Sequence, residues 1–144
     1  MISINAKGLT QSIKAFRTVK KRFDKRKEAN AKAVLVIDKW IQKNFQSQGK
    51  DVGGWAKLKP ATLKQRKGSR ILVRTGQLRT RWAHKYDNEH ALVESGISYG
   101  IYHDQGTRNL PRRQIAPDAE HVGSSLEKIF NNFTEKVIKE DFHD

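Results

Sequence analysis

Apolar residues fall at Leu9, Ile13, Phe16, Phe23, Val34, Ile37, Ile41 and Phe45, and their spacing marks one face of an α-helix. Thr10 is placed to cap its start. Ahead of it, Ile2 and Ile4 alternate with Ser3 and Asn5, the period of a short edge strand ending at Gly8. Lys20, Lys27 and Asn30 interrupt the helical stripe in phase. The pattern predicts a helical region over about 9–47, either one long helix with a polar middle or two helices meeting near Asn30. Ala31 to Phe45 is its more apolar half and the expected core, with Trp40 beside the stripe. Gly49 marks the helix end, and Gly49 to Gly54 reads as a loop.

Shorter elements follow. Pro60 suits the first turn of a helix over about 60–67, broken by Gly68-Ser69. Thr75 is positioned to cap a short helix beginning at Gly76. Arg81 to Tyr86 reads as a strand with Trp82, His84 and Tyr86 on one face; Asp87-Asn88 turns the chain, and Ala91 to Ser95 returns as the second strand of a hairpin. Ser98 to Gly106 reads as a short helix, and Thr107 to Pro117 as an exposed basic loop or extended segment. Leu126, Ile129, Phe130, Phe133 and Val137 mark an amphipathic C-terminal helix over about 119–141, with Ser124 and Glu127 at capping-box spacing. The chain is thus expected to be one α+β domain over residues 1–144, its long N-terminal helix packed on a small antiparallel sheet, with short helices and a C-terminal helix. Trp40, Phe45 and Trp82 are expected in the core.

Charge changes this picture. Of a net +14, residues 1–85 carry 23 Lys/Arg against 4 Asp/Glu, and residues 86–144 carry 6 against 11. The halves stand at +19 and −5, and such a split can supply two electrostatically different faces. Lys20 to Arg22, Lys25 to Lys27 and Arg112-Arg113 are basic clusters suited to sequence-independent, salt-sensitive contact with phosphate backbones. Trp55, Trp82, Tyr99 and Tyr102 offer stacking faces, yet no zinc knuckle, aromatic reader pattern or Gly-x-x-Gly clamp accompanies them. No apolar run of membrane-spanning length and no secretory leader pattern is present. With no cysteine, disulfides, thiolate metal sites and a cysteine nucleophile are excluded.

Catalytic chemistry finds little support. His84, His90, His103, His121 and His143 form no helical ligand pair, Ser98 sits in no Gly-x-Ser-x-Gly elbow, and the loop glycines precede no Gly-Lys-Ser/Thr run. Asp87, Glu89, Glu94 and Asp104 read more simply as turn and strand-surface carboxylates than as an acid pair. A basic nuclease using His84 or His103 as acid or base is the remaining enzymatic alternative. We expect no catalytic residue, no metal site and no cofactor.

Gly54-Trp55, Leu58, Pro60, Thr62 and Arg66 form a spaced signature that continues through Ile71-Leu72, Thr75-Gly76 and Leu78, then Tyr99 to Gly106, then Pro111-Arg112-Arg113. This ordered set, over roughly 35–117, resembles the phage virion morphogenesis family, the tail-completion proteins of Mu-like and P2-like phages. The family usually has a small residue where Gly100 stands, and an apolar residue where this chain has Gln114. The resemblance implies a non-enzymatic, head–tail joining subunit of the virion, assembled in the bacterial host cytoplasm. Its partners would be phage tail and head–tail connector proteins, and copies of itself in a ring around the DNA channel. Non-specific DNA contact fits such a position, and a membrane role does not. Trp55, Leu58 and Leu63 read as anchors of the loop and short helix, or as a partner-binding hook. Pro60, Thr75, Gly76 and Leu78 read as structural. Tyr99, Tyr102 and His103 are interface candidates, with burial in the monomer the alternative. Arg108, Arg112 and Arg113 are expected to be exposed and to meet an acidic neighbour or DNA.

Overall fold

The computed structural model describes residues 6–142, with side chains from 10 to 140. It is an α+β structure of two N-terminal helices, α1 (Ala6–Phe23) and α2 (Lys27–Ser47), short helices α3 (Pro60–Lys64) and α4 (Gln77–Thr80), a hairpin of β1 (Trp82–Tyr86) and β2 (Ala91–Ser95), a short α5 (Gly100–Gln105) and a long α6 (Ala119–Phe142). The edge strand expected at Ile2 and Ile4 lies outside the described residues. Thr10 is no cap: α1 begins at Ala6 and runs through it.

The N-terminal region breaks into two helices, but not at Asn30. The break falls at Asp24 to Arg26, where three consecutive polar residues offer nothing to bury. Asn30 sits one turn inside α2, its side chain donating to the Asp87 carbonyl (2.8 Å), while the Lys27 N–H donates to Asn88 Oδ1 (3.1 Å). The hairpin turn thus satisfies the start of α2 in place of a local cap. Asp87 Oδ1 accepts the N–H groups of Glu89 and His90, both at 2.7 Å, and these bonds hold its carboxyl below the usual carboxylate range.

α2 carries the core. Ala29, Ala33, Val34, Ile41 and Phe45 are buried along one stripe, and its C-terminal end joins Trp55, Ile71, Leu78, Ile97 and Ile115 in one cluster. Each of these comes from a different loop or short element, so the cluster folds the central segment around the end of α2. The hairpin lies beside it in the register Trp82↔Ser95, His84↔Val93, Tyr86↔Ala91. On the face toward α2, Trp82 and Val93 pack at the core edge and His84 Nε2 reaches Asp38 Oδ1 at 3.2 Å. Tyr86, further along that face, is exposed. Phe45 is fully buried, whereas Trp40 and Trp82 are only partly so; Trp40 stacks on the His121 ring at 4.9 Å.

α6 lies along α1 and α2. It starts at Ala119, so Ser124 and Glu127 are mid-helix residues and not a capping box. The cap is Asp118, whose Oδ1 accepts the Glu120 N–H (3.2 Å), with Pro117 just ahead to end the preceding segment. Phe23 meets Phe133 edge-to-face at 6.1 Å, and Arg22 reaches Glu140 at 3.6 Å. The N-terminal part of the α1 stripe is not covered: Ile13 is 42% and Phe16 73% exposed. Residues of the acidic half meet residues of the basic half in the Arg22–Glu140 and Lys85–Glu94 pairs, both at 3.6 Å.

Candidate functional site

Three loops and three short helices meet beside the core cluster, and each is held there by identifiable bonds. Gln48 takes the left-handed conformation that ends α2, and its side-chain amide both accepts from the Ile71 N–H and donates to the Phe45 carbonyl. That fixes segment 70–73 against the helix end. Trp55 is buried, stacks edge-to-face on Phe45 at 5.1 Å, and donates its Nε1–H to the Gln114 carbonyl (2.9 Å). The same carbonyl accepts Asn44 Nδ2 at 2.8 Å. Where the resembling family has an apolar side chain, position 114 here contributes its backbone to the core and keeps the polar side chain outside.

The segment following α5 is stitched to that helix. The Arg113 N–H donates to the His103 carbonyl (2.7 Å), and Asp104 Oδ1 accepts the N–H groups of Ile115 (2.7 Å) and Ala116 (3.0 Å). Gly106 has φ +76°, and an added Cβ would lie 2.9 Å from the Arg112 nitrogen, so only glycine allows this tight return. Asp104→Ala leaves two inward N–H groups unpaired. It should lower the unfolding free energy by about 2–3 kcal/mol. Asp104→Asn keeps one carbonyl acceptor and should lose clearly less; equal urea midpoints for all three proteins would refute the stitching role.

These elements enclose an open groove of about 710 Å³. Its floor and walls are apolar, formed by Leu58, Leu72, Leu78, Leu110 and Pro111, and its rim carries Lys59, Arg66 and Arg74. Tyr99, His103 and Arg113 close one side, and no Asp or Glu lines it. Leu72 is held at φ +58°, a left-handed backbone that L-residues adopt at a cost of about 1–3 kcal/mol. Gly100 is buried where a Cβ would come within 3.1 Å of Leu78 Cδ1, which accounts physically for a small residue there.

The singled-out residues divide. Leu58, Thr75, Leu78, Tyr99, His103 and Arg113 come together on the groove. Trp55 supports it from the core, and Pro60 opens α3 at its first helical position. Gly76, at φ +76°, is itself the residue before α4, and Thr75 Oγ1 accepts the Gln77 N–H at 3.5 Å from one place further out. Leu63 is 41% exposed and is not part of the core packing; α3 ends at Lys64, and ahead of it Trp55 and Leu58 are the anchors that reach the core. Tyr102, Arg108 and Arg112 are exposed but do not line the groove.

Arg113 corrects the expectation of three exposed arginines. It is 6% exposed, with its Nε donating to the Ala56 carbonyl (3.0 Å) and a terminal nitrogen near the Lys57 carbonyl (3.5 Å). It ties the 111–115 segment to the Trp55 loop and cannot reach out to DNA. Burial lowers its pKa below the ordinary arginine value. Lys59, Arg66, Arg74 and Asn109 belong to the groove without having been assigned a role from sequence. Arg66 had stood in the spaced signature; Lys59 and Arg74 are single cations in a basic chain and carried no distinguishing pattern.

His103 packs edge-to-face against Tyr99 at 6.2 Å, and its Nδ1 is buried without a partner among the described residues. Burial, and then the Arg113 charge, depress its pKa below the ordinary 6.5. As pH falls, the unfolded chain takes up this proton before the folded one. The contribution to stability is therefore complete above that ordinary value and is lost as pH drops through and below it. The difference in urea midpoint between wild type and His103→Gln should shift against the wild type between about pH 7.5 and 5. A difference independent of pH would show that His103 titrates as it does unfolded.

Among the described residues, no group of three or more His, Asp or Glu side chains is placed to hold a metal ion, and no helix is long and apolar enough to cross a membrane. No family model, no curated protein and no solved structure matches the chain.

Proposed function

We propose that the chain is a structural, non-enzymatic subunit of a tailed phage particle, acting in tail completion or head–tail joining. On this reading it assembles in the host cytoplasm with phage tail and connector proteins, forms a ring of like copies around the DNA channel, and stays in the virion. The observation that carries the reading is convergence. Leu58, Thr75, Leu78, Tyr99, His103 and Arg113 belong to the ordered signature that resembles the phage virion morphogenesis family, and they meet on one groove although they span 56 residues of sequence. A chance scatter of short motifs gives no reason for them to share a surface.

Deleting the coding sequence from the phage or prophage that carries it should leave filled heads and separate tails in electron micrographs, restored to joined particles by the gene supplied in trans. Joined particles of normal infectivity without the gene would end this reading.

A second reading, a small basic nucleic-acid-binding module, is favoured by one feature. Lys20, Lys21, Lys25, Arg26 and Lys27 are exposed around the α1–α2 junction. Backbone contact by these cations gives affinity that falls steeply with salt and ignores sequence. Neutralising Lys25, Arg26 and Lys27 should abolish it. Tight, sequence-selective binding at physiological salt would move the function to nucleic acid.

A further inference from the structure

The groove combines features that together specify a ligand. Its leucine-lined floor is apolar, with Leu58 and Leu72 partly accessible and Leu110 exposed, and it is bounded by polar residues, the pattern of a docking site. Its rim is cationic without a single lining carboxylate. Arg113 brings a further charge into the wall, and its partners among the described residues are backbone carbonyls, with no counter-ion. Among the described residues, Arg66 Nε and His103 Nδ1, on side chains that line the groove, are buried without a hydrogen-bond partner. Buried polar atoms of this kind normally have partners. The volume, about 710 Å³, lies within the range of ligand-binding clefts.

Charge decides among occupants. As the occupant of this groove a second copy is disfavoured, because a chain of net charge +14 brings an excess of cations to a cationic rim; ring contacts through other faces are unaffected. A nucleic-acid strand would leave the leucine floor uncovered, and Tyr99 and His103, packed edge-to-face on each other, offer no row of stacking faces for successive bases.

We propose that the groove between α3, α4, α5 and the 107–113 segment binds an acidic peptide segment of another protein, seating an apolar side chain among Leu58, Leu72 and Leu78 and presenting carboxylates to Arg66 and Arg74. This goes beyond the joining role, since it holds for any acidic partner. Peptide selection reads the groove and gene deletion reads assembly, so the two claims fail separately.

A random twelve-residue peptide library displayed on yeast is selected against the full chain and counter-selected with a Lys59→Glu/Arg74→Glu variant. Both side chains are exposed and neither makes a hydrogen bond or ion pair among the described residues, and circular dichroism checks the fold. Selected peptides should combine Asp or Glu with a large apolar residue. By fluorescence anisotropy they should bind the variant at least about tenfold more weakly, and bind wild type more weakly as salt rises. Leu78→Ala should weaken binding independently of salt. The proposal is overturned by an absence of enriched peptides, by enriched peptides lacking acidic residues, by equal binding to the rim variant, or by a single-stranded oligonucleotide displacing the peptide at lower concentration. Light scattering that shows a dimer dissolved by the rim substitutions would overturn it too.

Discussion

Trp55→Ala should remove about 3–5 kcal/mol from the unfolding free energy, the range for truncating a large buried aromatic. Domains are stable by only about 5–15 kcal/mol, so a loss of this size leaves the protein near its folding threshold. Three losses combine at this position. The side chain is 6% exposed and its removal opens a cavity beside Phe45, whose edge-to-face partner disappears. The Gln114 carbonyl, which accepts both Asn44 Nδ2 and Trp55 Nε1, keeps only the first. The Gly49–Gly54 loop, otherwise without a buried side chain apart from partly covered Val52, loses its tether. Trp55→Phe separates these contributions: it keeps an aromatic ring against Phe45 but not the donor, and should cost less, about 1–2 kcal/mol. Urea unfolding followed by circular dichroism reads both. A change below about 1 kcal/mol for the alanine variant would mean that the loop is held by its own turns, and that Trp55 is the partner-binding hook considered from sequence.

What was legible in the chain depended on whether a residue's role is local. Pro60 opens α3 as read, while Gly49 lies just past the left-handed Gln48 that ends α2 and Gly76 stands one residue before α4, because a left-handed backbone or a fixed φ is set by the residue itself and its immediate neighbours. The hairpin followed from alternation across Trp82 to Tyr86 and a turn at Asp87-Asn88. Roles that require a distant partner were not legible. Arg113 and Arg112 are adjacent and identical, yet one is drawn inward by the carbonyls of Ala56 and Lys57 and the other is exposed. Asp104 read only as a turn or strand-surface carboxylate, and its role appears with the Ile115 and Ala116 N–H groups that come to it. Ser124 and Glu127 had the spacing of a capping box, but Pro117 and Asp118 lie earlier and end the loop sooner. The groove shows the same division. Its apolar members other than Leu110 stood in the spaced signature, whereas Lys59 and Arg74 gain meaning only because the lining contains no acid.

Gly49→Ala carries the second large effect and tests the same region from the other side. Gly49 has φ +79°, and an added Cβ would sit 2.3 Å from Trp55 Cδ1 and 2.6 Å from Cγ and Nε1. Left-handed backbone alone costs a non-glycine residue about 1–2 kcal/mol. Gly53 and Gly54, at φ +86° and +85°, have nothing within 4 Å of an added Cβ, so alanine there should show that smaller cost and no more. At Gly49 the tryptophan must also move, and moving it breaks the bond to Gln114 and the contact with Phe45. The combined loss should reach about 3–5 kcal/mol, comparable to removing the side chain. The two substitutions are then strongly non-additive. In a Trp55→Ala background the obstructing ring is gone, and Gly49→Ala should cost only about 1–2 kcal/mol, a coupling of roughly 2–3 kcal/mol in a double-mutant cycle. Additive losses would show that backbone conformation, and not the ring, demands glycine at this position. The wall of the groove formed by segment 111–115 would then owe its placement to Arg113 and Asp104 more than to the tryptophan beneath it.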